Sequence, residues 1–411
     1  MVIVGGGMAG ARLARTLGAR APEALAVTVV ADEPHPAYNR VLLAEVVAGR
    51  YPAEVTALPP AGPAVAWRGG LRATRLDRER RLVHCADGSE LPYDVLVLAT
   101  GSAPVTLPAP GGAGQPPEGV RPLRTLDDAR ALAAAARPGL PAVVVGGGPL
   151  GVSAAGALAE RGARVVLAER AERLMPRQLD ARAAALLGER LAACGVEVRT
   201  ASLVTAALSQ GPAGARRVVG VQLTRRDGRR TGLPAELVVP ACGVRPRAGL
   251  AEAAGLALGA GGGIAVDDRL RTGDPAVYAV GDCAEHDGRL YGSAVPAQDQ
   301  ADVLASVLTG GPDRYRGTRA MTRLTLLPTS DEAWDVAAFG TPHAEPGDDE
   351  VRLADATRGA YRKIVVRDDR LRGGILVGDL GSVGTLARAW QGDEPLPDTP
   401  LLHLLTDDGG L

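Results

Sequence analysis

The sequence predicts an α/β chain made of two doubly wound, Rossmann-like domains and a small α+β domain at the C-terminal end. Three observations predict it. An apolar run enters a glycine turn at Val2-Ile3-Val4-Gly5-Gly6-Gly7-Met8-Ala9-Gly10. The same pattern returns at Ala142-Val143-Val144-Val145-Gly146-Gly147-Gly148-Pro149-Leu150-Gly151, and short alternating apolar segments replace it from Tyr315 onward. An apolar run, G-x-G-x-x-G and an alanine-rich helical stretch together read as a strand, a tight turn and a helix start.

Such a turn is a cradle for a pyrophosphate. Gly5 and Gly146 permit the turn, Gly7 and Gly148 let the backbone approach phosphate, and Gly10 and Gly151 allow close helix–strand packing. The helix amides and dipole then hold the anion. Each turn is followed by an acidic residue after the next apolar run, the position that receives adenosine ribose hydroxyls in this arrangement. Two turns therefore imply two bound dinucleotides.

After the first helix, around Ala9–Ala19, the strand Val27–Val30 runs into Asp32 and Glu33, and either carboxylate suits the first ribose. A polar loop, Glu33 to Leu43, follows. Leu71–Leu76 and Arg81–Cys85 alternate around Asp87-Gly88-Ser89 as a hairpin would, and Asp94–Gly101 reads as a buried strand ending in a glycine turn. The Pro- and Gly-rich stretch from Pro104 to Pro117 is a crossover between domains. A helix begins near Arg124-Thr125-Leu126-Asp127-Asp128-Ala129, and the second nucleotide unit runs from Pro141 to about Pro246. Its second strand ends at Glu169, whose carboxylate would accept the ribose 2′-hydroxyl and repel a 2′-phosphate, which favours NADH. Arg170 and Arg173 beside it leave NADPH open. Val277–Cys283 delivers the Asp282 carboxylate from a buried strand, and a helix with Pro296 in its first turn starts near Val295. That helix start could stabilise negative charge on a reduced ring system. Arg362–Val366 and Gly374–Val377 are strands of the last domain.

Composition narrows the class. The formal net charge of −1 over 411 residues offers nothing to nucleic acid or an anionic membrane. Cys85, Cys194, Cys242 and Cys283 show no C-x-x-C, so neither a metal site, an iron–sulfur cluster nor a disulfide framework is expected. His35, His84, His286, His343 and His403 have no ligand spacing either. Of the lysine and arginine side chains, all but Lys363 are arginines. With no charged leader ahead of the first strand and no apolar run of membrane length, a soluble cytoplasmic protein is expected. Trp67, Trp334 and Trp390 read as core or interface residues, Trp334 also as one that could approach a cofactor from the last domain.

Beyond these readings, the chain resembles the FAD/NAD(P)H-dependent two-dinucleotide-binding reductases. It is most similar to the N-terminal flavin module of assimilatory NADH-nitrite reductases and to the electron-transfer subunit of assimilatory nitrate reductases. The resemblance is carried by Glu33-Pro34-His35-Pro36-Ala37-Tyr38-Asn39-Arg40-Val41-Leu42-Leu43, Leu174-Met175-Pro176-Arg177-Gln178-Leu179-Asp180, Tyr278-Ala279-Val280-Gly281-Asp282-Cys283-Ala284-Glu285-His286, Tyr315-Arg316-Gly317-Thr318 and Tyr361-Arg362-Lys363. It implies a glutathione-reductase-like FAD/NAD(P)-binding fold, with an FAD domain over residues 1–115 and 247–314, an NAD(P)H domain over 116–246 and an interface domain over 315–411.

The resemblance also implies site residues. FAD would meet Gly5, Gly7, Met8, Ala9, Gly10, Asp32 or Glu33, Arg40, Ala73, Ala99-Thr100-Gly101, Arg124, Gly281-Asp282 and Val295. NAD(P)H would meet Gly146, Gly148, Pro149, Leu150, Gly151, Glu169, Arg170 and the Cys242-Gly243 turn. No side chain is needed as nucleophile, because hydride passes between cofactors. Two departures fall at the flavin face: Glu45 stands where the ferredoxin-reductase branch has Lys, and Ser153 where both branches usually have Glu. The implied function is transfer of electrons from NADH through FAD to a partner carrying iron–sulfur, sirohaem or molybdenum chemistry. Two alternatives stand beside it, a ferredoxin or rubredoxin reductase serving a monooxygenase and a flavin-bound NADH sensor or scaffold. The oligomeric state is left open.

Overall fold

A computed structural model of the protein describes residues 1–20, 25–108, 116–212, 215–326, 334–397 and 400–406. Much of the crossover expected between Pro104 and Pro117, residues 109–115, lies outside them. By internal contact the chain divides into two units. One comprises Met1–Leu43, Pro52–Pro104 and Val244–Thr318; the other comprises Ala44–Tyr51, Val105–Gly243 and Arg319–Leu411.

The first unit is built on a five-stranded parallel sheet in the order Val277–Ala279, Leu96–Leu98, Val2–Val4, Val27–Ala31, Val65–Gly69. Side chains on a strand alternate between faces, and here both faces are apolar. Ile3, Val29 and Val97 pack under the helices Met8–Arg20 and Ala294–Leu308, while Val2, Val4, Val30, Leu96 and Leu98 join a second cluster with Leu76, Val83 and Ile264. That double burial is why these strands read as unbroken apolar runs. The two helices are joined by a bidentate pair, Arg12 to Asp302 at 2.7 and 2.8 Å. The expected pairing is present as Ala73–Asp77 against Leu82–Cys85, but the chain reverses between them at residues 78–81; the Asp87-Gly88-Ser89 turn expected to close that hairpin instead leads into a third strand, Glu90–Pro92, that the alternation did not predict.

The second unit holds a four-stranded parallel sheet in the order Val196–Arg199, Arg164–Ala168, Pro141–Val145, Leu237–Pro240. An antiparallel three-stranded sheet, Ser202–Gln210, Arg217–Arg225 and Arg230–Pro234, covers one face of it through Val204, Ala207, Val218, Val221 and Leu223. The helix Leu126–Ala135 begins at a capping box: Thr125 accepts from the Asp128 N–H, and Asp128 accepts from the Thr125 N–H. From Thr322 the chain forms an antiparallel five-stranded sheet in the order Thr322–Leu326, Trp334–Gly340, Arg370–Gly378, Ala360–Arg367, Asp349–Asp355, with the helix Val383–Gly392 packed on it. The α/β class with a C-terminal α+β sheet is thus the observed architecture. Trp334 is buried in that last sheet, opposite Leu326.

Candidate nucleotide cradles

The two glycine turns share one backbone construction. Gly5 has φ +121° and Gly146 φ +112°, the region that glycine enters freely. A Cβ on Gly5 would lie 2.1 Å from the Ala99 carbonyl oxygen, and one on Gly146 would lie 2.5 Å from that of Ala241. The third glycine of each turn is tighter still: a Cβ on Gly10 would meet the Gly5 oxygen at 2.0 Å, and one on Gly151 the Gly146 oxygen at 1.8 Å. The middle positions face the other way. Nothing lies within 4 Å of a Cβ on Gly148, and Gly7 has only the tip of Arg40 at 3.9 Å. Each turn is therefore walled by backbone on two sides and open on the third, at the N-terminus of a helix whose first amides lack partners in the helix.

Around the first turn the structure gathers Ala9, Ala99, Thr100, Gly101, Gly281 and Asp282. Gly281, at φ +81°, would place a Cβ 3.2 Å from that of Ala9. Its N–H donates to Gln300 Oε1 at 2.7 Å, and the Asp282 carboxylate accepts from Ser102 Oγ at 2.8 Å. Neither Gln300 nor Ser102 was singled out from the sequence, since a buried amide and hydroxyl leave no motif. Thr100 Oγ1 donates to the Arg247 carbonyl. Ala73 sits in the antiparallel strand opposite Cys85, and Val295 is exposed in the first turn of its helix. Arg124, Glu45 and Ser153 belong to the second unit.

The register explains why the first acid was ambiguous. Gly5 N–H bonds the Val30 carbonyl as Gly146 N–H bonds that of Ala168, so Ala31 stands where the second turn has Glu169. Asp32 and Glu33 follow one and two residues later. Glu33 is held by Tyr38 OH at 2.6 Å and by Arg40, while Asp32 is exposed and paired with Arg72 at 3.0 Å.

At the second turn Glu169 is 7% exposed, and its carboxylate accepts from the N–H of Gly147 at 2.5 Å and of Ala171 at 2.7 Å. A carboxylate has about four lone-pair sites, so hydroxyl donors can still join it, whereas a second anion is repelled. Arg173 is turned into its own loop, donating to the carbonyls of Leu179 and Pro176. Arg170 is exposed. Cys242 lies against the cradle, since a Cβ on Gly146 would be 3.2 Å from the Cys242 nitrogen, and Gly243 follows it at φ +114°. Leu150 is 41% exposed beside Pro149 at the helix start.

The two departures each have a partner of their own. Glu45 accepts from Arg50 Nε at 2.5 Å, and Arg50 also pairs with Glu160. Ser153 Oγ donates to the Pro149 carbonyl at 3.0 Å, a bond within its own helix. The four cysteines are free thiols. Among the described residues no group of three His, Cys, Asp or Glu is arranged to hold a metal ion, and no helix is long and apolar enough to cross a membrane.

With two such cradles in one chain, the comparison with known proteins is direct. Residues 1–301 match the pyridine nucleotide-disulphide oxidoreductase family, and residues 333–391 match the rubredoxin NAD+ reductase C-terminal domain. The chain belongs to the pyridine nucleotide-disulphide oxidoreductase family. Proteins of this family use FAD and NAD(P)H, and the walled turns fit both groups. The nitrite reductase [NAD(P)H] large subunit of Klebsiella oxytoca is 36% identical over 97% of this chain and 41% of its own length. The assimilatory nitrate reductase electron transfer subunit of Bacillus subtilis (strain 168) is 32% identical over 92% of this chain and 47% of its own. The chain spans about half the length of these curated relatives. Among solved structures, the covalent putidaredoxin reductase–putidaredoxin complex superposes with a TM-score of 0.81 at 26% identity, over 98% of this chain and 97% of the other.

Proposed function

We propose that the chain is an FAD-dependent NAD(P)H reductase that passes electrons from NADH through FAD to a separate metalloprotein, as the electron-transfer component of an assimilatory nitrate or nitrite reductase. The observation that carries this reading is the duplicated cradle, open above Gly7 and Gly148 and closed elsewhere by backbone. The Klebsiella and Bacillus relatives support the nitrogen-assimilation assignment by their names.

In this reading FAD is held by Gly5, Gly7, Met8, Ala9, Gly10, Asp32 or Glu33, Arg40, Ala73, Ala99, Thr100, Gly101, Arg124, Gly281, Asp282 and Val295. NADH is held by Gly146, Gly148, Pro149, Leu150, Gly151, Glu169, Arg170, Cys242 and Gly243. When bound, these two groups supply the chemistry, hydride transfer and its release as single electrons. The protein supplies position and field. The amides after Gly7 and Gly148 meet phosphate charge, and Glu169, already fixed by two amides, takes the ribose hydroxyls and disfavours a 2′-phosphate. Glu45 and Ser153 are proposed to set the charge at the flavin face, Glu45 tempered by Arg50. The acceptor is proposed to be an iron–sulfur, sirohaem or molybdenum protein, with the cytoplasm as the compartment.

Purified protein should be yellow, and anaerobic NADH should bleach it within seconds, after which ferricyanide or an iron–sulfur partner reoxidises it. Colourless protein that takes up no FAD on reconstitution would falsify the reading, and an oxidised flavin that persists for minutes would favour the sensor. A second reading, ferredoxin or rubredoxin reductase, is supported by the fold shared with the putidaredoxin reductase complex and by the match over residues 333–391. Faster turnover with a [2Fe–2S] ferredoxin or rubredoxin than with a sirohaem protein would select it.

A further inference from the structure

The second glycine turn is backed by a loop to which no cofactor role has been given, Leu174-Met175-Pro176-Arg177-Gln178-Leu179-Asp180. Leu174, Met175 and Leu179 are all buried. Met175 has φ +46°, and a side-chain-bearing residue keeps such a backbone only where its surroundings impose it. The consequence is a hydrogen bond: the Met175 N–H donates to the Gly147 carbonyl at 2.9 Å. In a trans peptide the carbonyl and the following N–H point to opposite sides. Holding the Gly147 oxygen toward the loop therefore turns the Gly148 N–H away from it.

The far end of the loop is tied to the C-terminal sheet. Asp180 caps the helix Ala181–Ala193 by accepting from Ala183 N–H at 3.0 Å. The same carboxylate accepts from Tyr361 OH at 2.7 Å and lies 3.6 Å from Lys363 Nζ, both on the strand Ala360–Arg367. Lys363 is the only lysine of the chain, is 3% exposed, and pairs with Glu350 at 2.6 Å. His343 Nε2 lies 3.1 Å from the Pro176 carbonyl. Two segments far apart in sequence, Leu174–Asp180 and Tyr361–Lys363, are thus one construction.

We propose that this loop is a strut, with Met175 and Asp180 as positioning residues: Met175 N–H sets the Gly147–Gly148 peptide for the nucleotide pyrophosphate, and Lys363 and Tyr361 hold the strut from the C-terminal sheet. The proposal rests on the reading that the second turn binds a pyridine nucleotide. It makes the C-terminal sheet a determinant of nucleotide affinity.

The test uses ADP-ribose, which carries the pyrophosphate without nicotinamide, titrated calorimetrically into the full flavin-loaded chain. Lys363→Met leaves neither carboxylate orphaned, because Asp180 keeps Tyr361 and Ala183 while Glu350 keeps Arg352. It should raise the ADP-ribose Kd about fivefold, and Tyr361→Phe about twofold, with flavin content unchanged. Asp180→Asn keeps an acceptor for the helix cap, and because it cuts the same link, the double variant with Lys363→Met should bind about as weakly as Lys363→Met alone rather than show the sum of two losses. Amide exchange at Met175 should quicken in Lys363→Met while the interior amides of Ala181–Ala193 do not. A purely structural role would lower Tm and loosen that helix with affinity unchanged. If the wild type itself ignores ADP-ribose, the nucleotide reading of the turn fails. If the wild type binds and Lys363→Met binds equally with unaltered Met175 exchange, the strut alone fails.

Discussion

At single residues the glycine turns separate folding from binding. Gly148 has an ordinary φ of −76° and open space where a Cβ would point, so Gly148→Ala should keep wild-type stability within about 0.5 kcal/mol. In the proposed reading the added methyl obstructs the approach of backbone to phosphate, and NADH affinity should fall about tenfold or more. Gly151→Ala is the opposite case, since its Cβ would lie 1.8 Å from a backbone oxygen that no rotamer can move. It should cost about 2 kcal/mol or more and lose binding as well. Urea unfolding and NADH titration of both variants check this, and a Gly148→Ala protein that binds as the wild type does would remove Gly148 from the cradle. Gly5, Gly10, Gly146 and Gly151 were legible because their backbone geometry admits only glycine. The acid of the first turn was not, because its reading depends on a register of one residue that places Ala31 beside Gly5 and leaves Asp32 and Glu33 to other partners.

Elements were legible where a local rule fixes an end. The Thr125 to Asp128 capping box starts the helix Leu126–Ala135 where the sequence pattern does, and Thr125→Ala should cost about 1 kcal/mol by urea unfolding. Buried double-faced strands were equally plain. The strand Glu90–Pro92 was not: three residues with a proline make no periodic signal, and its pairing is decided by the hairpin beside it. The link between the C-terminal sheet and the helix Ala181–Ala193 was also invisible, since a lone lysine and an aspartate distant in sequence carry no spacing. It has a pH signature. For Asp180, burial pushes the carboxyl up, but the Ala183 amide, Tyr361 and Lys363 together outweigh it and leave the pKa below the usual range. Glu350 is lowered likewise, its own burial outweighed by Lys363 and Arg352. A carboxylate with a depressed folded pKa contributes stability that is fully present above its unfolded value of about 4 and is lost as pH falls through the folded one. The contribution of this link to stability should thus be constant above about pH 5 and decline below about pH 4. Lys363→Met should shallow that decline; an identical slope in the variant would mean the link contributes nothing.

For the molecule as a whole, the strut predicts that the second cradle and the C-terminal sheet open together. Both belong to one contact unit, and the strut gives a physical reason for shared opening. Lys363 is a built-in reporter, because it is the only side-chain amine in the sequence and is 3% exposed. An amine-acylating reagent should leave it unmodified in the native protein and reach it only through opening events, whose frequency reflects their free energy. A ligand that binds only the closed form stabilises by RT ln(1 + [L]/Kd), about 2.7 kcal/mol at a hundredfold excess over Kd. If opening of the sheet also dismantles the cradle, ADP-ribose at that excess should slow Lys363 acylation about a hundredfold, provided reclosing outpaces labelling. If the sheet opens alone, nucleotide will not protect Lys363 at all, and the rate will be the same with and without it. Mass spectrometry of the Lys363 peptide over time distinguishes the two. Lys363→Met cuts one link whereas sheet opening removes the whole strut, so nucleotide protection of the wild type should be at least as large as the affinity the variant loses, because coupling between two sites is reciprocal.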